Sequence, residues 1–313
     1  MRRLLVALVA VLVAGCGGGS GNGGREHVDL MLDFFPNADH APIYAAQARG
    51  EFKRRGLDVR IRTPSDPSAP LKLLAAGRTD LAISYEPEVL RARDKGLPVV
   101  AVGSLVRTPL TAIVSLPRAG IRTPADLHGK TVGTAGIDYQ SAYLHAIAPP
   151  GVKQVNVGFD LVPALVSGKV DAVLGAYWNY EAIQLRQKGR NPRVIRVDRA
   201  GVPTYDELVV TANERDVREH PDRIRRFLAG LAAGARVLRA DPEIGVRPLL
   251  AANRTLDPRL QRASVNVTLP YFSPARMDPA AWRRFTAFMH RNGLLKMATP
   301  DGAYTNRLLP ASR

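Results

Sequence analysis

The amino-acid sequence predicts an α/β protein built from two doubly wound lobes, and three observations lead to this prediction. Its 313 residues exceed the roughly 250–300 residues that a single hydrophobic core usually organises. Segments of strand character alternate with segments of helical spacing along most of the chain, as in parallel sheets covered by helices. The pattern of 74–86 returns in 165–177: a helix, a glycine stop, a basic residue, an aspartate, a buried strand and a tyrosine near its end. We therefore expect lobe 1 to comprise 28–110 and 206–313, and lobe 2 to comprise 111–205.

The elements of lobe 1 follow from apolar periodicity. Residues 28–32 alternate between apolar and polar side chains, which predicts a half-buried strand. Further strands are predicted at 57–61, 80–85 and 99–106, and helices at 43–52, 71–76 and 88–95.

Lobe 2 repeats the alternation after a connecting run at 111–116. The predicted strands are 130–133, 155–158, 172–176 and 194–197, and the predicted helices are 141–146, 161–166 and 180–187.

The last third of the chain is expected to return to lobe 1. Residues 207–212 predict a strand, and apolar residues at helical spacing predict three helices that pack on this lobe, at 222–238, 244–252 and 279–292. The final helix carries an apolar stripe that includes Trp282 and Phe285, a pattern more typical of a core than of a cofactor site. The tail from Thr299 onward is predicted to be a loosely held surface segment.

The first residues are predicted to be a targeting segment that belongs to neither lobe. A positively charged start precedes an apolar stretch, 4–13, that is shorter than the roughly 20 residues a membrane-spanning helix needs. The Val-Ala-Gly-Cys run that follows resembles a bacterial lipobox, which implies that 1–15 are a cleaved signal peptide and that Cys16 is lipidated. The glycine-rich residues 16–27 would then be a flexible tether. The alternative is an ordinary secretory peptide followed by a free cysteine.

Composition narrows the classes of function. Cys16 is the one cysteine in the sequence, so the chain forms no internal disulfide and no cysteine cluster for a metal. The formal net charge of +16 suggests a nucleic-acid partner at first sight. The arginines are instead scattered along predicted amphipathic helices, as at Arg225 and Arg283, so we expect no nucleic-acid partner. Genomic composition, or attraction to an anionic membrane surface, accounts for the charge equally well.

A candidate binding segment lies where the first strand meets the first helix. Pro36 and Asn37 end the strand, and Asp39 is suited to cap the helix that follows. Aromatic, amide, carboxylate and imidazole groups therefore cluster at the carboxyl end of a strand, which is where open α/β sheets bind ligands. The candidate residues here are Asp33, Phe35, Asn37 and His40. The structural alternative is that the phenylalanines are core residues and His40 merely starts a helix.

A second aromatic cluster lies at 177–181. A flat heterocycle with amino groups needs aromatic faces for stacking, a carboxylate acceptor and an amide with mixed donor and acceptor edges. Tyr177, Trp178, Asn179 and Glu181 supply this chemistry, and Tyr85 ends the equivalent strand of the other lobe. The alternative for Trp178, and for Tyr180 beside it, is packing beneath the turn.

Four motifs make the chain resemble a known family. They are Asp-Phe-Phe-Pro-Asn-Ala-Asp-His at 33–40, Ala-Ala-Gly-Arg-Thr-Asp-Leu-Ala-Ile-Ser-Tyr at 75–85, Thr-Pro-Ala-Asp-Leu-His-Gly-Lys-Thr-Val-Gly at 123–133 and Gly-Ala-Tyr-Trp-Asn-Tyr-Glu at 175–181. The chain resembles the solute-binding proteins of ABC importers in the thiamine-pyrimidine group, which covers formylaminopyrimidine-binding proteins and the related thiamine-pyrimidine synthases.

The resemblance, which spans 28–292, implies a periplasmic-binding-protein fold of type II with hinges near Thr111 and Pro203. It also implies that Tyr177 and Glu181 contact a pyrimidine ligand. Riboflavin, sulfonate or taurine, and nitrate binders share the same fold, so these ligands stay open as alternatives.

The glycine-containing turn at 133–139 offers backbone amides to an anionic group. In phosphate-handling relatives the equivalent turn holds a phosphate. Asp138 lies in it here and is expected to repel a phosphate, which favours a neutral ligand.

The competing class is an enzyme. His40 occupies the histidine position of the Pro-Asn-x-x-His motif of the synthases, which use that histidine, pyridoxal phosphate and iron. Those synthases also carry a cysteine-rich iron motif, which this sequence lacks, and an export signal would separate the protein from cytosolic cofactors. The six histidines form no close pair that suggests a metal site.

We therefore expect a non-enzymatic lipoprotein without metal or cofactor, anchored on the extracytoplasmic face of the cell membrane. It would capture an aminopyrimidine-like solute between its lobes and deliver it to ABC permease and ATPase subunits.

Overall fold

The computed structural model describes residues 24–310, and residues 273–275 only through their backbone. The predicted signal peptide, the lipidation site Cys16 and most of the predicted tether lie outside the described residues. Within them the prediction of two α/β lobes is confirmed, because the strands form one sheet of six and one sheet of five. None of the helices in 24–310 combines the length and apolar character that crossing a bilayer requires.

The sheet of lobe 1 has the strand order β11-β4-β10-β3-β1-β2. Its strands are β1 (Glu26–Met31), β2 (Leu57–Arg62), β3 (Leu81–Ser84), β4 (Val99–Val106), β10 (Leu208–Asn213) and β11 (Phe272–Ala275). β1 pairs in parallel with β2 and β3, whereas β10 runs antiparallel to both β3 and β4. The alternation of strands and helices predicted a parallel sheet, and the observed sheet is mixed. The chain returns from lobe 2 in the opposite direction and inserts β10 into the middle of the sheet, where every residue of the strand is buried.

Eight helices of the described chain cover this sheet. They are α1 (Ala41–Ala48), α2 (Pro70–Ala75), α3 (Glu86–Asp94), α7 (Glu214–Glu219), α8 (Pro221–Ala240), α9 (Glu243–Ala252), α10 (Pro258–Thr268) and α11 (Pro279–Arg291). The long helix α8 lies directly against α1, because Gly234 allows close approach. A Cβ at that position would lie 2.4 Å from the Pro42 carbonyl oxygen.

Helix α10 was not predicted, although the sequence carries its start signal. The Asp257 carboxylate accepts hydrogen bonds from the backbone N–H groups of Arg259 and Leu260, and Pro258 occupies the first helical position. Its residues Gln261 and Thr268 form hydrogen bonds with lobe 2.

Lobe 2 has the strand order β7-β6-β8-β5-β9. Its strands are β5 (Thr111–Ser115), β6 (Thr131–Thr134), β7 (Lys153–Asn156), β8 (Ala172–Tyr177) and β9 (Arg193–Arg196), and its helices are α4 (Asp138–Ile147), α5 (Leu161–Ser167) and α6 (Glu181–Gln187). β6 is parallel to β7 and β8, but β5 is antiparallel to β8 and β9. This sheet is mixed for the same reason as the first, since β5 enters it from the other lobe.

The predicted apolar stripe of the last helix is buried in lobe 1. Trp282 and Phe285 have no exposed surface, and the Trp282 indole N–H donates to Asp206 at 2.8 Å. The stripe therefore forms core, as the residue pattern indicated.

The prediction of a loosely held tail is wrong. The backbone of Ala101 in β4 donates to the carbonyl of Ala303 at 2.9 Å and accepts from the N–H of Thr305 at 2.8 Å. β11 pairs only with the second half of β4, so the first half presents an open edge that the tail covers. Burial of Ala303 and Leu308 holds the segment in place.

Candidate functional site

A pocket lies between the two lobes, at the carboxyl ends of strands from both sheets, and we call it the cavity. From lobe 1 it is lined by Asp33, Phe34, Asn37 and Tyr85. From lobe 2 it is lined by Ala135, Ile137, Tyr139, Gln140, Leu161, Gly175, Tyr177, Tyr180 and Glu181. The lining thus combines two carboxylates and two carboxamides with five aromatic rings.

Asp33 is held by two buried donors. The Tyr85 hydroxyl donates to Oδ2 at 2.7 Å, and His40 Nε2 lies 2.8 Å from Oδ1. The other ring nitrogen of His40, Nδ1, accepts from the backbone N–H of Asn37 at 3.1 Å. Because an imidazole nitrogen that accepts carries no proton, the ring proton sits on Nε2 and is donated to Asp33. His40 is therefore a neutral donor that orients Asp33 from beneath the cavity.

Local chain geometry explains this arrangement. The Asn37 side chain accepts from the N–H of Asp39 at 2.9 Å and starts the short helical turn Ala38–His40. His40 closes the turn by accepting from the N–H of Asn37, so the Pro-Asn-x-x-His spacing is a reciprocal cap.

Glu181 begins helix α6 and faces the cavity from lobe 2. Its Oε2 accepts from the backbone N–H of Tyr177 at 2.6 Å, which fixes the 177–181 turn. Burial raises the pKa of Glu181 to about 7, although the backbone N–H groups of Tyr177 and Glu181 act in the opposite direction. A ligand that offers a hydrogen-bond donor or a positive charge would stabilise the ionised form of this buried carboxyl group.

Aromatic rings form the walls of the cavity. The Tyr85 and Tyr139 rings, one from each lobe, have centroids 5.3 Å apart at an interplanar angle of 50°. The ring of Phe34, which lines the cavity from lobe 1, meets Phe159 of lobe 2 edge to face, with centroids 4.5 Å apart. These contacts show the lobes closed on each other, with surfaces suited to a flat ring.

A buried polar contact joins the lobes beside the cavity. The Asn179 amide nitrogen of lobe 2 donates to Asp39 Oδ1 and to Thr268 Oγ1 of lobe 1, both at 2.7 Å. Burial raises the pKa of Asp39 to about 7. Nearby, Gln261 of α10 donates to the Tyr180 hydroxyl at 2.9 Å. Helix α10, which sequence reasoning missed, thus supplies two of the contacts between the lobes.

Gln140 and Gly175 occupy the floor on the lobe 2 side. Gln140 Oε1 accepts from the backbone N–H of Ala135 at 2.8 Å. Gly175 has φ +99°, and a Cβ there would lie 2.2 Å from Gln140 Nε2. Glycine is required at this position for both conformation and space.

The turn at 135–139 presents alternate residues to opposite sides. Ala135, Ile137 and Tyr139 line the cavity, whereas Asp138 points away and forms ion pairs with Lys95 and, at 3.8 Å, with Arg91 of lobe 1. The expectation that Asp138 repels an anion in the ligand site is therefore wrong, because its carboxylate lies on the other face of the turn.

The structure brings together five of the nine candidate ligand residues at the cavity: Asp33, Asn37, Tyr85, Tyr177 and Glu181. The other four, Phe35, His40, Trp178 and Asn179, are outside its lining. Phe35 packs on Phe34, with ring centroids 4.6 Å apart, and Trp178 donates its indole N–H to the Pro109 carbonyl at 3.0 Å near the crossover.

Sequence reasoning did not assign several lining residues to the site. They are Phe34, Ala135, Ile137, Tyr139, Gln140, Leu161, Gly175 and Tyr180. The signal for Tyr139 and Gln140 was available, because they follow the glycine-containing turn after β6, which is another handover from strand to helix.

The electrostatic character of the cavity is one-sided. Asp33 and Glu181 line it, but no lysine or arginine of the described residues does. Neither do the described residues contain a group of three or more histidine, cysteine, aspartate or glutamate side chains arranged to hold a metal ion. The iron that the synthase resemblance implies therefore finds no fitting ligand set in 24–310.

Comparison with known proteins agrees with this architecture. Residues 37–244 match the family model described as NMT1/THI5 like. A formylaminopyrimidine-binding protein of Halalkalibacterium halodurans is 36% identical over 280 residues, covering 85% of each chain. A protein of Haemophilus influenzae named for thiamine biosynthesis is 35% identical over 283 residues, covering 88% of this chain and 90% of its own.

More distant relatives carry an enzyme name. A 4-amino-5-hydroxymethyl-2-methylpyrimidine phosphate synthase of Schizosaccharomyces pombe is 26% identical over 273 residues, covering 82% of this chain and 78% of its own. Among solved structures, the alkanesulfonate-binding protein SsuA of Xanthomonas axonopodis pv. citri superposes with a TM-score of 0.71 at 16% identity, covering 89% of this chain and 98% of its own. At that identity the likeness concerns the fold, which is that of the periplasmic binding proteins.

Proposed function

The chain belongs to the NMT1/THI5-like family, and from this premise we propose that it is the extracytoplasmic solute-binding protein of an ABC importer. Its ligand is a thiamine-precursor pyrimidine, similar to formylaminopyrimidine, held between the two lobes. The observation that carries the proposal is the cavity between the lobes, which is lined by a carboxyl group from each side and by five aromatic rings.

An aminopyrimidine fits this lining in three ways. Its exocyclic amine is a donor for Glu181, whose carboxylate is already oriented by the Tyr177 N–H. Its flat ring suits the tyrosine faces. Asp33 supplies a second acceptor from the opposite lobe, so one ligand can bind both lobes at once and stabilise their closure.

The alternative anionic ligands are disfavoured by the same lining. A sulfonate, taurine's sulfonate group or nitrate would be placed near Asp33 and Glu181 without a lysine or arginine of the described residues in the cavity wall. Burying an anion beside carboxylates costs several kcal/mol unless a cation or several donors compensate. Riboflavin is neutral and contains a flat ring system, so it stays in the binding screen as a candidate ligand.

The position of His40 argues for binding over synthesis. Its imidazole has no exposed surface, lies outside the cavity lining and bonds through both nitrogens to the protein itself. A histidine consumed in a reaction must reach the reacting partner, and this one instead supports Asp33. We therefore propose a binding protein, not a synthase, while the fungal relatives that bear the synthase name define the competing class.

Anchoring and delivery complete the proposal. The lipobox-like run that ends in Cys16 would attach the protein to the outer face of the cell membrane through lipid, and the glycine-rich tether would give it reach. A permease and its ATPase subunits would receive the ligand.

The test is a thermal-shift screen of the mature protein, followed by calorimetry on the best ligand. A ligand that binds only the folded state raises its melting temperature. The probes are formylaminopyrimidine, thiamine, riboflavin, taurine and nitrate, with pyridoxal phosphate plus iron as the test for a synthase. We expect a shift with the pyrimidine and an unchanged mass of the protein after incubation with pyridoxal phosphate and iron. A shift with taurine or nitrate alone, or conversion of His40, would overturn the proposal.

A further inference from the structure

The bonding of Asp33 is that of a charged carboxylate. Both of its oxygens accept hydrogen bonds, one from Tyr85 at 2.7 Å and one from His40 at 2.8 Å. A protonated carboxyl would have to use one oxygen as a donor. Burial and the neighbouring Asp33 raise the pKa of Tyr85 well above its ordinary value, so the phenol keeps its proton and remains a donor.

The partner that looks like a counter-ion does not supply charge. His40 Nδ1 accepts from the Asn37 N–H, so the imidazole is neutral while it donates to Asp33 through Nε2. The buried set of Asp33, His40 and Tyr85 therefore has a net charge of about −1.

The rest of the lining adds no positive charge. Glu181 is a second acidic residue of the lining, and its carboxylate already accepts a hydrogen bond from the backbone N–H of Tyr177. Arg91 and Lys95 of lobe 1 form ion pairs with Asp138, which lies on the other face of the 135–139 segment. A buried carboxylate that lacks a cation in its own protein is stabilised by one that the ligand brings.

Resting on the proposed pyrimidine function, we propose that the preferred ligand carries a protonated primary amine on the substituent of its ring, in place of a neutral amide or alcohol. Asp33 accepts from this ammonium group across the cavity, while Glu181 accepts from the exocyclic amine of the ring. The preferred ligand is thus the amine that remains when the formyl group is removed from a formylaminopyrimidine. Asp33, not Glu181 alone, determines specificity.

The test uses three pyrimidines that differ only in one substituent. They are 4-amino-5-aminomethyl-2-methylpyrimidine, its N-formyl derivative and its 5-hydroxymethyl analogue. At pH 7 only the first carries an ammonium group. Calorimetry on the full mature protein should show the amine binding roughly tenfold to hundredfold more tightly than the alcohol, as expected for a charge-assisted bond in a buried site.

Asp33→Asn should remove most of this preference, because it should lower the affinity for the amine by a larger factor than the affinity for the alcohol. Asp160→Asn is the matched control, because it removes an exposed carboxylate of lobe 2 that caps no backbone N–H with its side chain. It should keep the preference. Should Asp33→Asn fail to fold, Tyr85→Phe provides a second variant, which removes one donor to Asp33 and should alter the amine-to-alcohol ratio more than the alcohol affinity.

The outcomes separate the two proposals. Tighter binding of the amine, lost in Asp33→Asn, supports the inference. Equal or tighter binding of the N-formyl derivative or the alcohol overturns it and leaves the proposed function intact. Failure of all three pyrimidines to bind the wild-type protein overturns the proposed function, and the inference with it.

Discussion

The Glu207 carboxylate accepts a hydrogen bond from the backbone N–H of Leu110 at 2.6 Å and thereby ties the two crossovers between the lobes together. The same oxygen accepts from the N–H of Thr111 at 2.8 Å and from the hydroxyl of Tyr205 at 3.0 Å. Its other oxygen accepts from Thr111 Oγ1 at 2.8 Å. One fully buried side chain, immediately before the returning strand β10, thus supports the start of the outgoing strand β5.

We predict that Glu207→Ala destabilises the protein by roughly 2–4 kcal/mol, because it leaves buried N–H donors of Leu110 and Thr111 without acceptors. Urea unfolding monitored by circular dichroism measures the change. Thr111→Val is the milder control, since it removes one of the four bonds and should cost about 1 kcal/mol. Equal stability of Glu207→Ala and the parent would show that the hydrogen bonds to Glu207 contribute nothing to the free energy of unfolding.

Removing the acceptor on lobe 2 should weaken ligand binding. Glu181→Ala is expected to lower the affinity for an aminopyrimidine by roughly one to two orders of magnitude, or about 1.5–3 kcal/mol. Glu181→Gln keeps the size of the side chain and one acceptor for the Tyr177 N–H, so it tests the charge separately from the turn.

Tyr177→Phe should leave the ligand affinity nearly unchanged if the ring stacks on the ligand, while Tyr177→Ala should lose about 1 kcal/mol of binding free energy. Calorimetry decides, and unchanged affinity in Glu181→Ala would refute an aminopyrimidine ligand.

Gly175→Ala should narrow the cavity floor. The new Cβ would lie 2.2 Å from the Gln140 amide, so Gln140 must move and lose its bond from Ala135. We expect at least tenfold weaker ligand binding and a lower melting temperature. Gly189→Ala is the matched control, because Gly189 also has positive φ (+70°) but no atom within 4 Å of a Cβ. It should show only the backbone cost of about 1 kcal/mol. Equal effects of the two substitutions would mean that the contact with Gln140 is unimportant.

Stability should fall as pH rises from about 4 to about 7. Burial raises the pKa of Asp39, Glu181 and Glu207 to about 7 in each case. A carboxyl with a raised pKa holds its proton longer in the folded protein than in the unfolded chain. The folded state therefore binds more protons across this window, and the free energy of unfolding decreases with pH until these groups ionise in both states.

Unfolding in urea at several pH values between 4.5 and 8 measures this slope. Asp39→Asn removes one of the buried acids with a raised pKa but keeps an acceptor for Asn179, so its slope should be shallower than that of the parent. A parent protein whose stability rises across the same window would contradict the prediction.

Membrane attachment should depend on one residue outside the described structure. Cys16→Ala is expected to release the protein from the membrane fraction, because an unlipidated chain retains no anchor after export. Fractionation and immunoblotting measure the distribution, and a Cys16→Ser variant should behave in the same way. Sedimentation of Cys16→Ala with membranes would exclude lipid anchoring at this cysteine.

Local sequence signals were enough for most elements of the fold. Strand alternation at 28–32 and the repeated helix-glycine-strand unit are set by side-chain period and turn chemistry, which act over a few residues. The mixed direction of both sheets and the packing of the tail on β4 were not predictable in the same way. They depend on where the returning chain inserts β10 and on which strand edge is left open.

For the site, the sequence by itself determined which chemical groups stand where strands end: Asp33, Tyr85 and Tyr177 follow or close apolar runs, and Glu181 lies four residues after Tyr177 at the turn into a helix. Only the tertiary structure decided which groups face the ligand space. His40 and Asn179 have the right chemistry, but one turns beneath Asp33 and the other reaches across to Asp39. The physical reason is that strand and helix periodicity are local properties, whereas the direction of a buried polar side chain depends on the partner that satisfies it, and those partners lie as many as 140 residues away.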